Sequence, residues 1–178
     1  NMKTDETHIL AGLEAEMELN VIVDGDTTFF KHKELIINSD MEYRKADEQL
    51  IIHPSDLELE HAMFKGDGVI DIADDFNLNL NVQGAKENFD MFTAFAPEEM
   101  QPVFDRYDNA GEIAFLLRIV GKSNTEEIPM VYATFSCKDA HFTNNRSNKK
   151  LDNLNFSGVF TNNGLPGVEN LEFTLSDF

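Results

Sequence analysis

Five histidines, His8, His32, His53, His61 and His141, are the side chains best suited to ligate a metal or pass a proton near neutrality. Their spacing forms no His-Glu-x-x-His pair or other recognised ligand motif, and His32 lies between Lys31 and Lys33. Asp24-Gly25-Asp26 and Asp74-Asp75 resemble fragments of calcium loops. The first lacks the further oxygen ligands and terminal Glu of an EF-hand, and turn acidity accounts for both. Gly66-Asp67-Gly68 begins like a dinucleotide fingerprint, but a strand pattern follows and no third glycine, so it reads as a hairpin turn. There is no Gly-x-Ser-x-Gly elbow and no Walker lysine loop. With 33 acidic residues, no carboxylate pair stands out as a glycosidase couple. The residues therefore predict no catalytic set, no metal and no cofactor: a chain that binds or scaffolds.

The elements that would carry such a role are strands. In Leu13-Glu14-Ala15-Glu16-Met17-Glu18-Leu19-Asn20-Val21-Ile22-Val23 every odd position is apolar and the even ones are acidic or polar until Ile22, the signature of a strand with one dry and one wet face. Asp24 to Thr27 supplies a turn. Further strands are expected at 29–37, 41–46, 49–53, 56–64, 68–73 and 76–84, then at 112–120, 129–138, 151–160 and 170–175. Their short connections favour antiparallel pairing. The pattern breaks between Asn88 and Tyr107, where Phe89, Phe92 and Ala96 recur at helical spacing behind an Asn88 cap and Pro97 and Pro102 limit helix length. Phe89, Phe92, Phe95 and Phe104 could form a ligand box, but a helical plug over one end of the sheet is favoured. Leu57 to Phe64 and Phe135 to Phe142 share an apolar register with a slip before Ala-x-Phe, a weak internal repeat that predicts a β-bulge in each copy.

Composition sets limits on partners. The chain has 178 residues and a formal charge of −19, from 14 basic and 33 acidic residues, which repels a phosphate backbone and argues against nucleic acid. The same charge disfavours direct docking on anionic head groups, though an apolar groove would still take acyl chains. The single cysteine, Cys137, cannot form an internal disulfide and reads as a small packed hydrophobe. No apolar run has membrane-spanning length, and no signal-peptide pattern opens the sequence.

Several soft motifs occur in a characteristic order: Ile51-Ile52-His53-Pro54-Ser55-Asp56-Leu57, the strand pair ending Leu78-Asn79-Leu80-Asn81-Val82-Gln83-Gly84, the helical piece with Ala96-Pro97-Glu98-Glu99, and Asn153 to Asn162. Through them the stretch from Leu50 to Phe178 resembles the AsmA-like envelope proteins of the Bacteroides group, while the first third matches in its long alternating strand alone. The resemblance, which extends to TamB and chorein-type lipid-transfer proteins, implies a single β-rich periplasmic module over residues 1–178, excised from a longer protein held in the inner membrane by a helix. It implies a role in phospholipid movement and outer-membrane homeostasis, with phospholipid or another acyl-chain ligand and envelope proteins as partners.

The expected fold is therefore mainly β: a long curved antiparallel sheet forming a groove or open sandwich, with one short helical insert at about 88–107. The candidate groove stripe is Leu13, Ala15, Met17, Leu19 and Val21, with Leu78, Leu80 and Val82, then Ile113, Phe115 and Leu117. The same pattern would serve the core of a closed sandwich equally well. A scaffold engaging an envelope protein through a sheet edge or the acidic face is the alternative function. A glycan-processing enzyme is disfavoured by the absence of Trp.

Overall fold

Period-two alternation runs through most of the chain, and a strand that alternates must bury its dry face beside neighbours that alternate in phase with it. The computed structural model describes residues 2–23, 27–86, 89–95, 101–165 and 170–176. In it, ten strands pair in chain order into one open, curved antiparallel sheet. They are β1 (Met2–Thr4), β2 (His8–Val23), β3 (Thr27–Arg44), β4 (Gln49–Leu59), β5 (Ala62–Asp71), β6 (Asn77–Lys86), β7 (Tyr107–Lys122), β8 (Met130–Asn144), β9 (Lys150–Thr161) and β10 (Glu172–Ser176). The helical interruption falls where the two prolines predict it, as α1 (Asp90–Phe95) and α2 (Gln101–Phe104) between β6 and β7. The proposed Asn88 cap, the 24–26 turn and the side chains of Phe92, Phe95 and Ala96 lie outside the described residues.

Several strands are longer than the sequence pattern indicates. The expected segments 29–37 and 41–46 join as β3, of 18 residues, spanning roughly 60 Å at strand rise. The polar break at Ser39 is absorbed because its Oγ lies 2.7 Å from Ser55 Oγ, while the Ser55 hydroxyl donates to the His53 carbonyl at 2.5 Å. β4 likewise continues through Pro54. Met41 pairs with Ile52 and Asn38 with Asp56, so β4 carries one extra residue there, and the β5 side shows the same offset between Ile52↔Gly68 and Ser55↔Gly66. Proline cannot donate to a ladder and is tolerated at such a bulge. The extra residue is also required by phase: Leu50 and Ile52 are even-numbered, Ser55, Leu57 and Leu59 odd, and all must face one way.

The two copies of the apparent repeat resolve differently. In the first, Leu59 pairs with Ala62, so Glu60 and His61 form a two-residue hairpin with Glu60 at φ 56°, a correction to the expected bulge and to the single strand 56–64. In the second, the bulge is present: His141↔Ala110 and Lys138↔Glu112 give β8 an extra residue, Asp139, at φ 52°. The Asp139 N–H freed from the ladder donates to Asn155 Oδ1 at 3.0 Å. Gly66 and Gly68 are not turn residues but lie inside β5, where side chains of adjacent strands fold over the bare backbone. A Cβ on Gly66 would stand 2.9 Å from Leu57 Cδ1, and one on Gly68 2.7 Å from Leu80 Cδ2.

The same device recurs further along the sheet, where Phe64 and Met91 cover Gly84 and Phe135 covers Gly158. Phe135 also stacks on Phe173 with ring centroids 5.6 Å apart, tying the short edge strand β10 to β8 across β9. A methyl group at Gly158 would overlap Phe135 Cζ and force the ring off this stack. Gly158→Ala is therefore expected to cost about 1–3 kcal/mol of stability through overpacking. Urea unfolding followed by circular dichroism measures this, and an unchanged midpoint would show that the ring moves freely.

Candidate functional site

Directly opposed residues of an antiparallel pair share a face, so the register assigns every strand residue to one side of the sheet. One row runs from Ala15 through Ile37 and Leu57 to Phe64. Another joins Gly66, Val82, Leu117 and Ala133, and a third joins Gly68, Leu80, Ile119 and Val131. Leu78 opposes Ile70 and Gly121, Phe115 opposes Phe135, and Ile113 opposes Cys137. On β2, Leu13, Met17 and Leu19 oppose Ser39, Leu35 and Lys33. The candidate stripe thus lies on one face of one sheet, apart from Val21, whose side chain is outside the described residues.

The stripe is not uniform along that face. At one end Phe89, Met91 and Ala94, brought in by α1 and the residue just before it, bury against Leu59, Ala62, Phe64, Ile113, Cys137 and Ala140. Ile113 is only 2% exposed and belongs to this closed end. Phe89 packs on Phe142 at 4.5 Å between ring centroids, and its backbone N–H donates to Asn109 Oδ1 at 3.0 Å. Among the described residues Phe89, which the sequence pattern marks, is joined in this contact by Met91 and Ala94, which it does not; the side chains of Phe92 and Ala96 lie outside the described residues. Burial pushes the Cys137 thiol up from its ordinary pKa, which keeps it protonated as a packed hydrophobe. Val82 and Phe115 are half-buried against this cluster, Leu78, Leu80 and Leu117 are half-buried further along the face, and at the β2 side Leu13 and Met17 remain 38% and 40% exposed.

Beyond α1 the apolar face continues into a recess of about 440 Å³ between α2 and the adjoining ends of β7, β8 and β9. Val103, Phe104, Tyr107, Phe142 and Leu151 line it, with Lys149 and Lys150 at its margin. The recess was not legible in the sequence, since it depends on β8 and β9 each carrying an extra residue where they pair. Lys33, buried opposite Leu19, is a second polar feature of this face that alternation alone could not flag.

The opposite face is mixed, with Leu10, Ile36, Met63, Leu116 and Met130 exposed among polar side chains, and it carries its own charge cluster. Glu42 accepts a hydrogen bond from Arg44 Nε at 2.8 Å, and His8 Nε2 and His53 Nε2 each stand 3.6 Å from its carboxylate oxygens. These histidines come from strands flanking β3 and are linked by register, not by sequence spacing. Among the described residues no group of three His, Cys, Asp or Glu side chains is arranged to hold a metal, and no helix is long and apolar enough to cross a membrane. No family model, curated protein or solved structure matches the chain.

The Arg44 hydrogen bond, opposed by partial desolvation and aided by the charges of Arg44, His8 and His53, holds the Glu42 carboxyl below its ordinary pKa. Backbone N–H groups of His8 and Thr7 do the same for Asp5, and Lys122 and Asn77 for Asp74. A carboxyl depressed in the folded state stabilises it above the unfolded pKa, and that contribution is lost as pH falls through the folded value. Glu42→Gln is therefore expected to lower the melting temperature at neutral pH, with the difference from the unmutated chain closing below about pH 4. Thermal melts across that range check it; an equal deficit at neutral and acid pH would assign the effect to packing instead.

Proposed function

We propose that this chain is a non-catalytic acyl-chain-binding module of an AsmA-like cell-envelope protein, acting in the periplasm in lipid binding or transfer and outer-membrane homeostasis. The observation that carries this reading is a sheet one layer thick whose apolar face is covered, among the described residues, by a short helical plug at one end. A continuous apolar face that is not packed against a second layer is a binding surface by default. Each acyl methylene moved from water onto it stabilises the complex by about 0.8 kcal/mol, so several methylenes suffice without a catalytic group. The acidic outer face and the resemblance over Leu50–Phe178 accord with a module that meets lipid through its interior side, not through head-group attraction. The ligand proposed is phospholipid or another acyl-chain molecule, without a cofactor. An interaction module would instead use the open edges of the sheet.

Aspartate substitutions along the face separate binding from folding. Met17 is substantially exposed, so Met17→Asp is expected to cost no more than about 1 kcal/mol and melt cooperatively, while uptake of a fluorescent phospholipid falls severalfold. Phe115, which packs edge-on against Phe64 at 5.8 Å and contacts the plugged cluster, is a different case. Phe115→Asp buries an unpaired charge and is expected to cost several kcal/mol. Folded Met17→Asp with undiminished uptake would remove β2 from the binding face. Absence of uptake by the unmutated chain, together with no co-purifying lipid in native mass spectrometry, would end the lipid reading.

A further inference from the structure

From Thr143 to Leu151 the chain carries Arg146, Lys149 and Lys150 and no Asp or Glu, a local reversal of sign in a molecule with a formal charge of −19. The stretch closes the β8–β9 hairpin, and two asparagines hold it in place. Asn144 Oδ1 accepts from the backbone N–H of Arg146 at 3.1 Å and of Ser147 at 3.0 Å, which folds the loop, while the Asn144 N–H donates to the Lys149 carbonyl at 2.9 Å. Asn145 clasps the loop to the start of β7: its N–H donates to the Arg106 carbonyl at 2.9 Å, and its Oδ1 accepts from the Asp108 N–H at 3.0 Å. A loop tied down in this way has its ordering cost met before a ligand arrives.

Register then decides which face each lysine takes. Asn109 opposes Phe142 and Phe142 opposes Leu151 on the apolar face, and two residues along Tyr107 opposes Asn144. The Asn144–Lys149 bond sets Lys149 beside Asn144 in the same series. Lys150 opposes Thr143 and belongs to the other face, with its Nζ 4.0 Å from Asp152. Lys149 is therefore the cation at the margin of the recess walled by Val103, Phe104, Tyr107, Phe142 and Leu151, and it enters no ion pair among the described residues. At about 30 Å³ for a group the size of a water molecule or a methylene, a recess of about 440 Å³ holds on the order of fifteen such groups, which is one acyl chain and not two. An apolar cavity of this size with a few polar groups converging at its margin is the usual form of a small-molecule site. We propose that the recess between α2 and the β8–β9 hairpin binds a fatty acid, its single chain against Phe104, Phe142 and Leu151 and its carboxylate at Lys149. This rests on the reading of the apolar face as an acyl-chain surface and narrows it: the face takes chains whatever their head group, whereas the recess selects among them by charge.

The test compares three probes of equal chain length, decanoate, decanol and decyltrimethylammonium, by isothermal titration calorimetry of the whole chain at neutral pH. The salt is held at about 0.1 M, where charges more than about 10 Å apart are largely screened. The net charge of the protein by itself ranks the cationic probe first and decanoate last. The recess reverses that order, and decanoate is expected to bind at least about tenfold more tightly than decyltrimethylammonium, the factor for one charge-assisted hydrogen bond. Lys149 is exposed, and Lys149→Glu, with unchanged circular dichroism, is expected to weaken decanoate by about tenfold or more while moving decanol by less than about twofold. Lys3→Glu makes the same change of charge on β1 and is expected to leave decanoate binding as it was. Leu151 is 56% exposed, so Leu151→Ser keeps the fold and is expected to weaken decanoate and decanol alike. Decanoate bound no better than decyltrimethylammonium, or bound undiminished by Lys149→Glu or Leu151→Ser, would overturn the recess proposal and leave the apolar face as a chain-binding surface. Failure of all three probes to bind the unmutated chain would overturn both.

Discussion

A strand one residue out of phase turns every side chain it owns to the wrong face. In a sheet with a second layer, some of that error can be buried elsewhere; here there is a single layer and ten strands that must agree. The structure keeps phase by inserting single residues where the apolar pattern changes parity. The extra residue at His53-Pro54 lets Ile52 and Ser55 face the same way, and Asp139 does the same between Cys137 and Ala140. β9 carries its own insertion near Asn153, at φ 58°, which realigns Leu151 and Leu154 with Phe142 and Ala140. Without these corrections half the apolar face would point into solvent.

Phase alone does not make a smooth surface, and the glycines of this face show how its relief is set. Gly66, Gly84 and Gly158 sit where a neighbouring Leu or Phe lies down across the strand instead of standing up from it. The result is a face partly self-covered by its own side chains. The helix α1 adds the rest of the cover at one end, with Met91 seated over Gly84 and Phe89 against Phe142. Exposure therefore grades from the sealed cluster around Ile113 and Ala140 to the half-open rows of β6 and β7 and the exposed Leu13 and Met17 of β2.

Alternation in Leu13–Val23 and Asn77–Gln83 made strand class, antiparallel pairing and membership of one face legible before any coordinates, because those properties are local and have a period of two. Pro97 and Pro102 likewise placed the helical interruption, since proline's effect on helix is local. What failed to show was whatever depends on partners distant in sequence. Glu60-His61 and Lys138-Asp139 interrupt the same apolar pattern, yet one reverses the chain and the other bulges it, because β3 supplies a Glu34 carbonyl for the Glu60 N–H while Asn155 waits for that of Asp139. Gly66-Asp67-Gly68 read as a turn for the same reason: nothing nearby in the chain announces that Leu57 and Leu80 will cover those glycines. The meeting of His8 and His53 at Glu42 belongs to this class too, as does the recess beside α2.

The strict chain order of the strands has a mechanical and evolutionary consequence. Long-range contacts fall almost wholly between consecutive strands, so the energetics approach those of a linear array in which each hairpin answers mainly to its two neighbours. A duplicated hairpin could be spliced into such an array without rewiring any other pairing, widening the apolar face by about 10 Å, two interstrand spacings. The breadth of the face is thus a quantity that gene duplication can adjust in steps, while the plug at α1, anchored to particular residues of β5 and β6, stays where it is.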